Sequence, residues 1–330
     1  RKNMVIVVQG PSEGVKHITK EEAIAIMDKV ENANLEPYKD QSAEAALITE
    51  DLKGSKIIST KKLPQFDAEE WVLENGAKVV FRKADYEKDQ VQVASYSKGG
   101  TSLYDVDKLA SAMVTDQFIG AYGLGDYDAI TLRKLLTGKQ AQAGVSISGL
   151  SESVGGASTP KDFETLMQLI YLRFEKPRFD KEVHQTMMQR NYAAIENSGN
   201  NPQKIMQDSV SRIMSNYSPR TLSFGKEFLD KVSIEQIEEI YRDRIKDISD
   251  FTFFIVGNID AETVKPLVEK YLGSVKSYNR KENWIDRKVR GPKGRTEKVI
   301  ELELTTPKST VITNFSKEMK TSIHNNICLN

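Results

Sequence analysis

The chain has 330 residues, 39% hydrophobic and 28% charged, which supports a packed core and argues against global disorder. Lys plus Arg and Asp plus Glu both number 47, so no net charge draws the chain to nucleic acid or to an anionic membrane. The single cysteine, Cys328, excludes an internal disulfide and a thiolate zinc site, and no apolar run reaches the roughly 18 residues of a membrane span.

In chain order, "MVIVV" near the start reads as a short buried strand, ended by Gly10-Pro11. Thr19 and Glu22 form a capping box that opens a helix over about 20–34. Residues 35–65 carry Pro37, Gly54 and Pro64 with little periodicity and read as a linker or an extended strap. "WVLENGAKVVFRK" is a hairpin about Asn75-Gly76, and an alternating strand, "DQVQVASYSKGG", follows it. "DVDKLASAMVTDQFIGAYG" has helical spacing, and "AQAGVSISGLSESVGGAS" reads as a second hairpin. Thr159 and Pro160 predict the start of the next helix, and further helices fall near 180–197, 202–215 and 233–246, the last capped by Ser233 with Gln236. A strand at 251–256 and a helix at 260–272 close the unit, with Gly273 expected as a left-handed C-cap. Val299–Leu304 and Thr310–Phe315 read as strands of a further domain. This order predicts an α+β fold, a mostly antiparallel sheet with helices on one side.

The motifs for chemistry are few. "VGNID" at 256–260 follows a strand and opens a helix, but it has one glycine and no Lys-Ser/Thr pair, and Asp260 repels a phosphate at the helix N-terminus. The expected roles are a tight turn at Gly257-Asn258 and a cap at Asp260. The three histidines, His17, His184 and His324, are far apart in sequence, so a metal site needs distant segments to converge. His184, beside Asp180 and Glu182, is expected on a solvated helix face. Met187, Met188, Met206 and Met214 read as core filler.

The order of segments over about 66–275 resembles the pitrilysin/insulinase zinc metallopeptidases, the inverted zincins. "WVLENGAKVVFRK…SKGGTS" resembles their first hairpin and the glycine turn beyond it. "KDFETLMQLIYLRFEKPRFDKEVHQ" resembles the long central helix, the Pro-Arg turn and the next helix, and "FTFFIVGNIDAETVKPLVEKYLGSV" resembles the closing strand and helix. Active domains of that family carry H-x-x-E-H, two zinc-binding imidazoles and a glutamate that activates water, and a further glutamate completes the metal site. By the resemblance, Ser111, Val114 and Thr115 stand in those places, and Tyr192–Ala194 where the later glutamate belongs. No histidine lies between residues 18 and 183.

The resemblance implies a LuxS/metallohydrolase-like peptidase domain of the inactive kind from a four-domain, two-halved bacterial enzyme. Residues 1–65 are then the end of a preceding domain plus the linker between halves. Residues 66–275 are an inactive peptidase-like domain, and 276–330 lead into a truncated following domain. No catalytic, cofactor-binding or metal residue is expected in this chain, and the zinc belongs to a catalytic domain outside it. The expected role is to complete a peptide chamber, with the catalytic half and unfolded peptide as partners and no nucleic acid or membrane span. A homodimer through the terminal strands, and residence in the periplasm or cell envelope of a bacterium, are also expected. The alternative is a catalytically dead scaffold or core subunit of a larger complex. Peptide contact is expected at a sheet edge, in the 77–97 strands or the 144–157 hairpin.

Overall fold

A computed structural model describes residues 5–10, 14, 16–33, 46–198, 201–301, 308–315 and 322. The chain divides into a small unit, Arg1–Glu44, and a large one, Ala45–Asn330.

The small unit contains helix α1 (Lys20–Glu31). Its start is held as the sequence predicts: the Glu22 amide donates to Thr19 Oγ1 at 3.2 Å, and the Thr19 amide donates to Glu22 Oε2 at 2.9 Å. The strand expected in "MVIVV" is not found: residues 5–10 are exposed and take no regular form, and residue 4 lies outside the described residues.

The large unit is built on a seven-stranded sheet. Its strands are β1 (Ile57–Leu63), β2 (Ala68–Leu73), β3 (Lys78–Lys83), β4 (Val91–Lys98), β5 (Ala141–Ile147), β6 (Ser151–Ser158) and β7 (Thr252–Gly257). They lie in the order β1-β2-β3-β7-β4-β6-β5. All neighbours are antiparallel except β3 and β7, where Phe81 lies opposite Ile255 in parallel register. The helices are α2 (Val106–Ala121), α3 (Ala129–Leu135), α4 (Phe163–Glu175), α5 (Lys181–Ser198), α6 (Pro202–Met214), α7 (Lys226–Leu229), α8 (Ile234–Arg244) and α9 (Ala261–Tyr271).

The hairpin β2–β3 turns where Asn75-Gly76 predicts. Gly76 has φ +85°, the Ala77 amide donates to Asn75 Oδ1, and the Leu73 amide donates to the Ala77 carbonyl at 2.9 Å. Alternation along β4 is complete, with Val91, Val93, Ser95 and Ser97 buried and the residues between them exposed. The buried face carries helix α4, whose Leu166, Met167, Ile170 and Leu172 are almost wholly removed from water, and α9 packs beside it. Each such side chain is worth about 1.5–3 kcal/mol of transfer free energy. Trp71 and Phe81 stack across β2 and β3 with ring centroids 5.0 Å apart. The opposite face stays open at Tyr96 and Phe254.

Several expectations need correction. The stretch 35–65, read as a linker or an extended strap, contains Ile57–Leu63, which pairs into the sheet as the edge strand β1. Its "IISTKKL" is exposed along most of its length, so no buried stripe marks it in the sequence. Helix α4 begins at Phe163 after Asp162, and Thr159 instead accepts the Asp162 amide one turn earlier. The tight turn at Gly257-Asn258 does form, with the Ile259 amide donating to the Gly257 carbonyl at 3.0 Å. Gly257 also ends β7, where an added Cβ would lie 2.6 Å from the Gln90 carbonyl oxygen and the Val91 Cα of β4. Asp260 stands at the cap position of α9 but makes no capping bond, and pairs with Lys83 at 2.5 Å. Gly273 is likewise no left-handed cap: it sits in a 3₁₀ turn pressed against the Ser55 backbone. Of the two terminal strands expected, residues 299–301 and 308–315 take no regular form, and residues 302–307 lie outside the described residues.

Candidate functional site

Helix α2 carries Ser111, Val114 and Thr115, the residues that the family resemblance sets in the metal positions. Its spacing buries Leu109, Ala110, Val114, Phe118 and Ile119, and Ser111 and Thr115 are fully buried with them. The Ser111 hydroxyl accepts the Ser233 amide at 3.1 Å and donates to Gln236 Oε1 at 2.8 Å. Ser233 is the N-cap of α8, so Ser111 fastens α2 to the start of that helix. Thr115 Oγ1 donates to the Ser111 carbonyl one turn back at 2.8 Å, a bond internal to the helix. Val114 packs into the main core. Two hydroxyls with partners and an isopropyl group do not fit a zinc ion, which takes imidazole, thiolate or carboxylate.

Of the residues where a later glutamate belongs, Tyr192 donates its hydroxyl to Asp230 Oδ1 at 2.7 Å, and Ala193 and Ala194 are exposed. His184 is not on a solvated face. It is buried at 8% exposure, shares a 2.8 Å hydrogen bond with the Tyr122 hydroxyl through Nδ1, and lies 5.0 Å from the Phe118 ring. Burial holds its pKa below the ordinary 6.5. The first turn of α5 packs on the end of α2, and this tertiary contact overrides the polar neighbours in sequence. The methionine reading holds for Met187 and Met188, which pack on the core.

Two features sequence reading missed lie where segment 276–290, which has no helix or strand, crosses the domain. The first is a charge cluster. Glu152 on β6 is buried, accepts the Gly100 amide at 2.7 Å and Ser97 Oγ at 3.0 Å, and faces Arg244 Nη1 at 3.8 Å. Arg244 also pairs with Asp243 at 2.6 Å and with Glu282 at 2.5 Å, and Arg280 pairs with Glu282 and Asp243. Carboxylate oxygens of Glu152, Asp250 and Glu282 lie within 4.8 Å of one another. Burial pushes Glu152 and Asp250 up, whereas the arginines outweigh burial at Asp243 and Glu282 and hold both low. These pairs fasten the crossing segment to the domain.

The second is an open groove of about 640 Å³ beside the same segment, bounded by α2, the turn between β5 and β6, and residues 284–290. The Ile285 amide donates to Ser102 Oγ at 3.0 Å, and Arg287 donates to the Ser102 carbonyl and pairs with Asp105 at 2.8 Å.

Residues 231–322 match the family described as the peptidase M16 inactive domain. Over those residues the chain is similar to peptidase M16 inactive domains. It is 24% identical over 237 residues to a probable zinc protease PqqL of Haemophilus influenzae, with 68% of this chain and 24% of that protein covered. It is 23% identical to a zinc protease PQQL-like protein of Arabidopsis thaliana, with 74% of this chain and 23% of that protein covered. The chain thus spans about a quarter of the length of the curated relatives it matches. Its fold matches the periplasmic protease PqqL from Escherichia coli with a TM-score of 0.66 at 17% identity, over 83% of this chain and 30% of that one. A peptidase M16 inactive domain from Pseudomonas fluorescens matches with a TM-score of 0.51 at 17% identity, over 66% of this chain and 54% of that one. At these identities the structural likeness is one of fold.

In the seven-stranded sheet of this chain the edges are β1 and β5. The expectation of a free edge in the 77–97 strands is therefore corrected: β3 lies between β2 and β7, and β4 between β7 and β6. The hairpin supplies the free edge through β5. The Ser148 amide donates to Ser151 and the Thr159 amide to Gln140, so even-numbered residues of β5 face β6 and odd-numbered ones point outward. One outward carbonyl, Ala143, accepts Arg173 Nη2 at 3.2 Å. Among the described residues, no helix is long and apolar enough to cross a membrane.

Proposed function

We propose that this chain is the non-catalytic part of a bacterial zinc metalloendopeptidase, one that walls a peptide chamber, holds the halves of the enzyme together and neither binds zinc nor cleaves peptides itself. The observation that carries this reading is the use of Ser111 and Thr115 of α2 as structural hydroxyls, Ser111 docking α8 and Thr115 bonding back within its own helix. Residues 1–65 belong to the preceding domain and linker, 66–275 to the inactive domain, and 276–330 to the approach to the next domain. The catalytic half and an unfolded polypeptide are the partners. The peptide lies along β5, where outward backbone groups accept a strand by main-chain hydrogen bonds. The site of action is the periplasm or cell envelope, in keeping with the periplasmic relative of like fold. Terminal residues such as Val311 and Phe315 are highly exposed and join two copies into a dimer, which light scattering on the full chain and on one ended at residue 298 tests.

The experiment that tests the proposal removes this segment from the full-length protein. Peptide cleavage is expected to disappear while the remainder keeps its zinc. Cleavage at the full rate without the segment overturns the proposal.

A further inference from the structure

The groove beside segment 284–290 joins two features that ordinary surfaces keep apart. Its walls hold Met113, Leu150, Trp284 and Ile285, which are 47%, 49%, 41% and 47% exposed, an apolar patch left facing water. Arg220 also lines the groove. That guanidinium is half-buried and spends two N–H groups on neutral carbonyls, Tyr104 at 2.7 Å and Thr101 at 2.9 Å. A guanidinium has five donors, so three remain for another acceptor. Among the described residues Arg220 makes no ion pair with a carboxylate, whereas Arg287 pairs with Asp105 and Arg290 with Asp286. Burial, and then the charge of Arg287, lower the Arg220 pKa, and the more weakly acting Asp105 offsets only part of this.

We propose that this groove binds a short segment of a polypeptide substrate in which an apolar side chain stands next to a carboxylate: the carboxylate takes Arg220, and the apolar group lies against Trp284 and Met113. This deepens the chamber reading above and rests on it. Arginine suits a carboxylate because two parallel N–H groups match its two oxygens. A volume of about 640 Å³ takes a few residues and not a folded domain, and the groove is open, as a chain passing through requires.

The test uses the full chain and two blocked hexapeptides of identical apolar residues, one with Asp and Glu and one with Asn and Gln in their places. Trp284 reports binding by its emission, since the other tryptophan, Trp71, is fully buried in the core. The acidic peptide is expected to bind about tenfold more tightly, the yield of one charge-assisted pair. The preference should shrink as salt rises. Arg220→Gln should abolish it, while Arg133→Gln on the exposed face of α3 should not. Because Arg220 also ties down two carbonyls, Met113→Glu provides a second variant: it places a carboxylate at the exposed wall and should reverse the preference without touching the core.

Equal affinity for both peptides, a preference that survives both groove variants, or no emission change with either peptide at millimolar concentration overturns the proposal. Association of two copies that the peptide displaces also overturns it, since the groove's occupant is then this chain. The readout is independent of cleavage, so an acidic preference without any part in proteolysis would leave the groove standing and remove the chamber reading.

Discussion

A Cβ placed on Gly99 would lie 2.4 Å from Nη1 of Arg244. Gly99 also has φ +144°, so the glycine satisfies both the backbone and the guanidinium. Arg244 enters this space because Glu152, Asp243 and Glu282 surround it. Gly99→Ala should therefore destabilise the domain by roughly 2–3 kcal/mol, the scale of a strained backbone with a displaced partner. The denaturant midpoint measures this, and an unchanged midpoint means that the arginine has room to move.

The crossing segment is held by the same cluster. Glu282→Gln removes the charge that pairs with both Arg244 and Arg280 and should expose residues 276–290 to protease, with new cuts there in limited proteolysis. The wild-type segment should also loosen in acid. Burial alone would raise the Glu282 pKa, but hydrogen bonds from Arg244 and Arg280 win and lower it below 4.5. A carboxylate with a lowered folded pKa stabilises fully above its unfolded value, and the contribution is lost as pH falls through the folded value. The window is thus below pH 4.5, and protection at residues 276–290 that persists far below it would contradict the assignment.

His184 gives a second pH dependence of the same sign in a different window. Burial lowers its pKa below 6.5, so between the folded value and 6.5 the unfolded chain binds more protons than the folded one. Stability should therefore rise with pH through this interval and level off above it. His184→Gln should flatten the slope. Urea titrations at a series of pH values read the difference, and a variant with the wild-type slope would place the titration elsewhere.

Local signals carried much of this architecture. Thr19 with Glu22, Asn75-Gly76, the alternation of 91–98 and Ser233 before α8 each state a structure within a few residues, and each forms as read. What the sequence hid depends on distant partners. Strand β7 inserts between β3 and β4, about 170 residues away in sequence, and nothing local to "FTFFIVG" says so. Strand β1 has no buried stripe because an edge is wet on most sides. At the site, Ser111, Val114 and Thr115 share one helix and were legible as a set. Their partners Ser233 and Gln236 lie more than 120 residues on, as Arg220 and Trp284 lie far from Met113.

Restoring the metal residues should not restore chemistry. Ser111→His, Val114→Glu and Thr115→His together put a carboxylate into the core, cut the bonds from Ser111 to α8, and leave Tyr192 and its neighbours without a fourth ligand. A loss of about 4 kcal/mol or more is expected, the cost of an unpaired buried charge. Thermal melting reads that loss, and a triple variant as stable as the parent would show that α2 has space for a site.

The most direct measurement is metal content and cleavage on one preparation of the untagged chain. Zinc is counted by mass spectrometry after dialysis against a weak chelator, and hydrolysis of an unfolded protein is followed with and without the rest of the enzyme. The account predicts no retained zinc and no cleavage by the chain alone, with cleavage appearing when the catalytic half is added. About one zinc per chain that survives dialysis, with cleavage that a strong chelator stops, would contradict it.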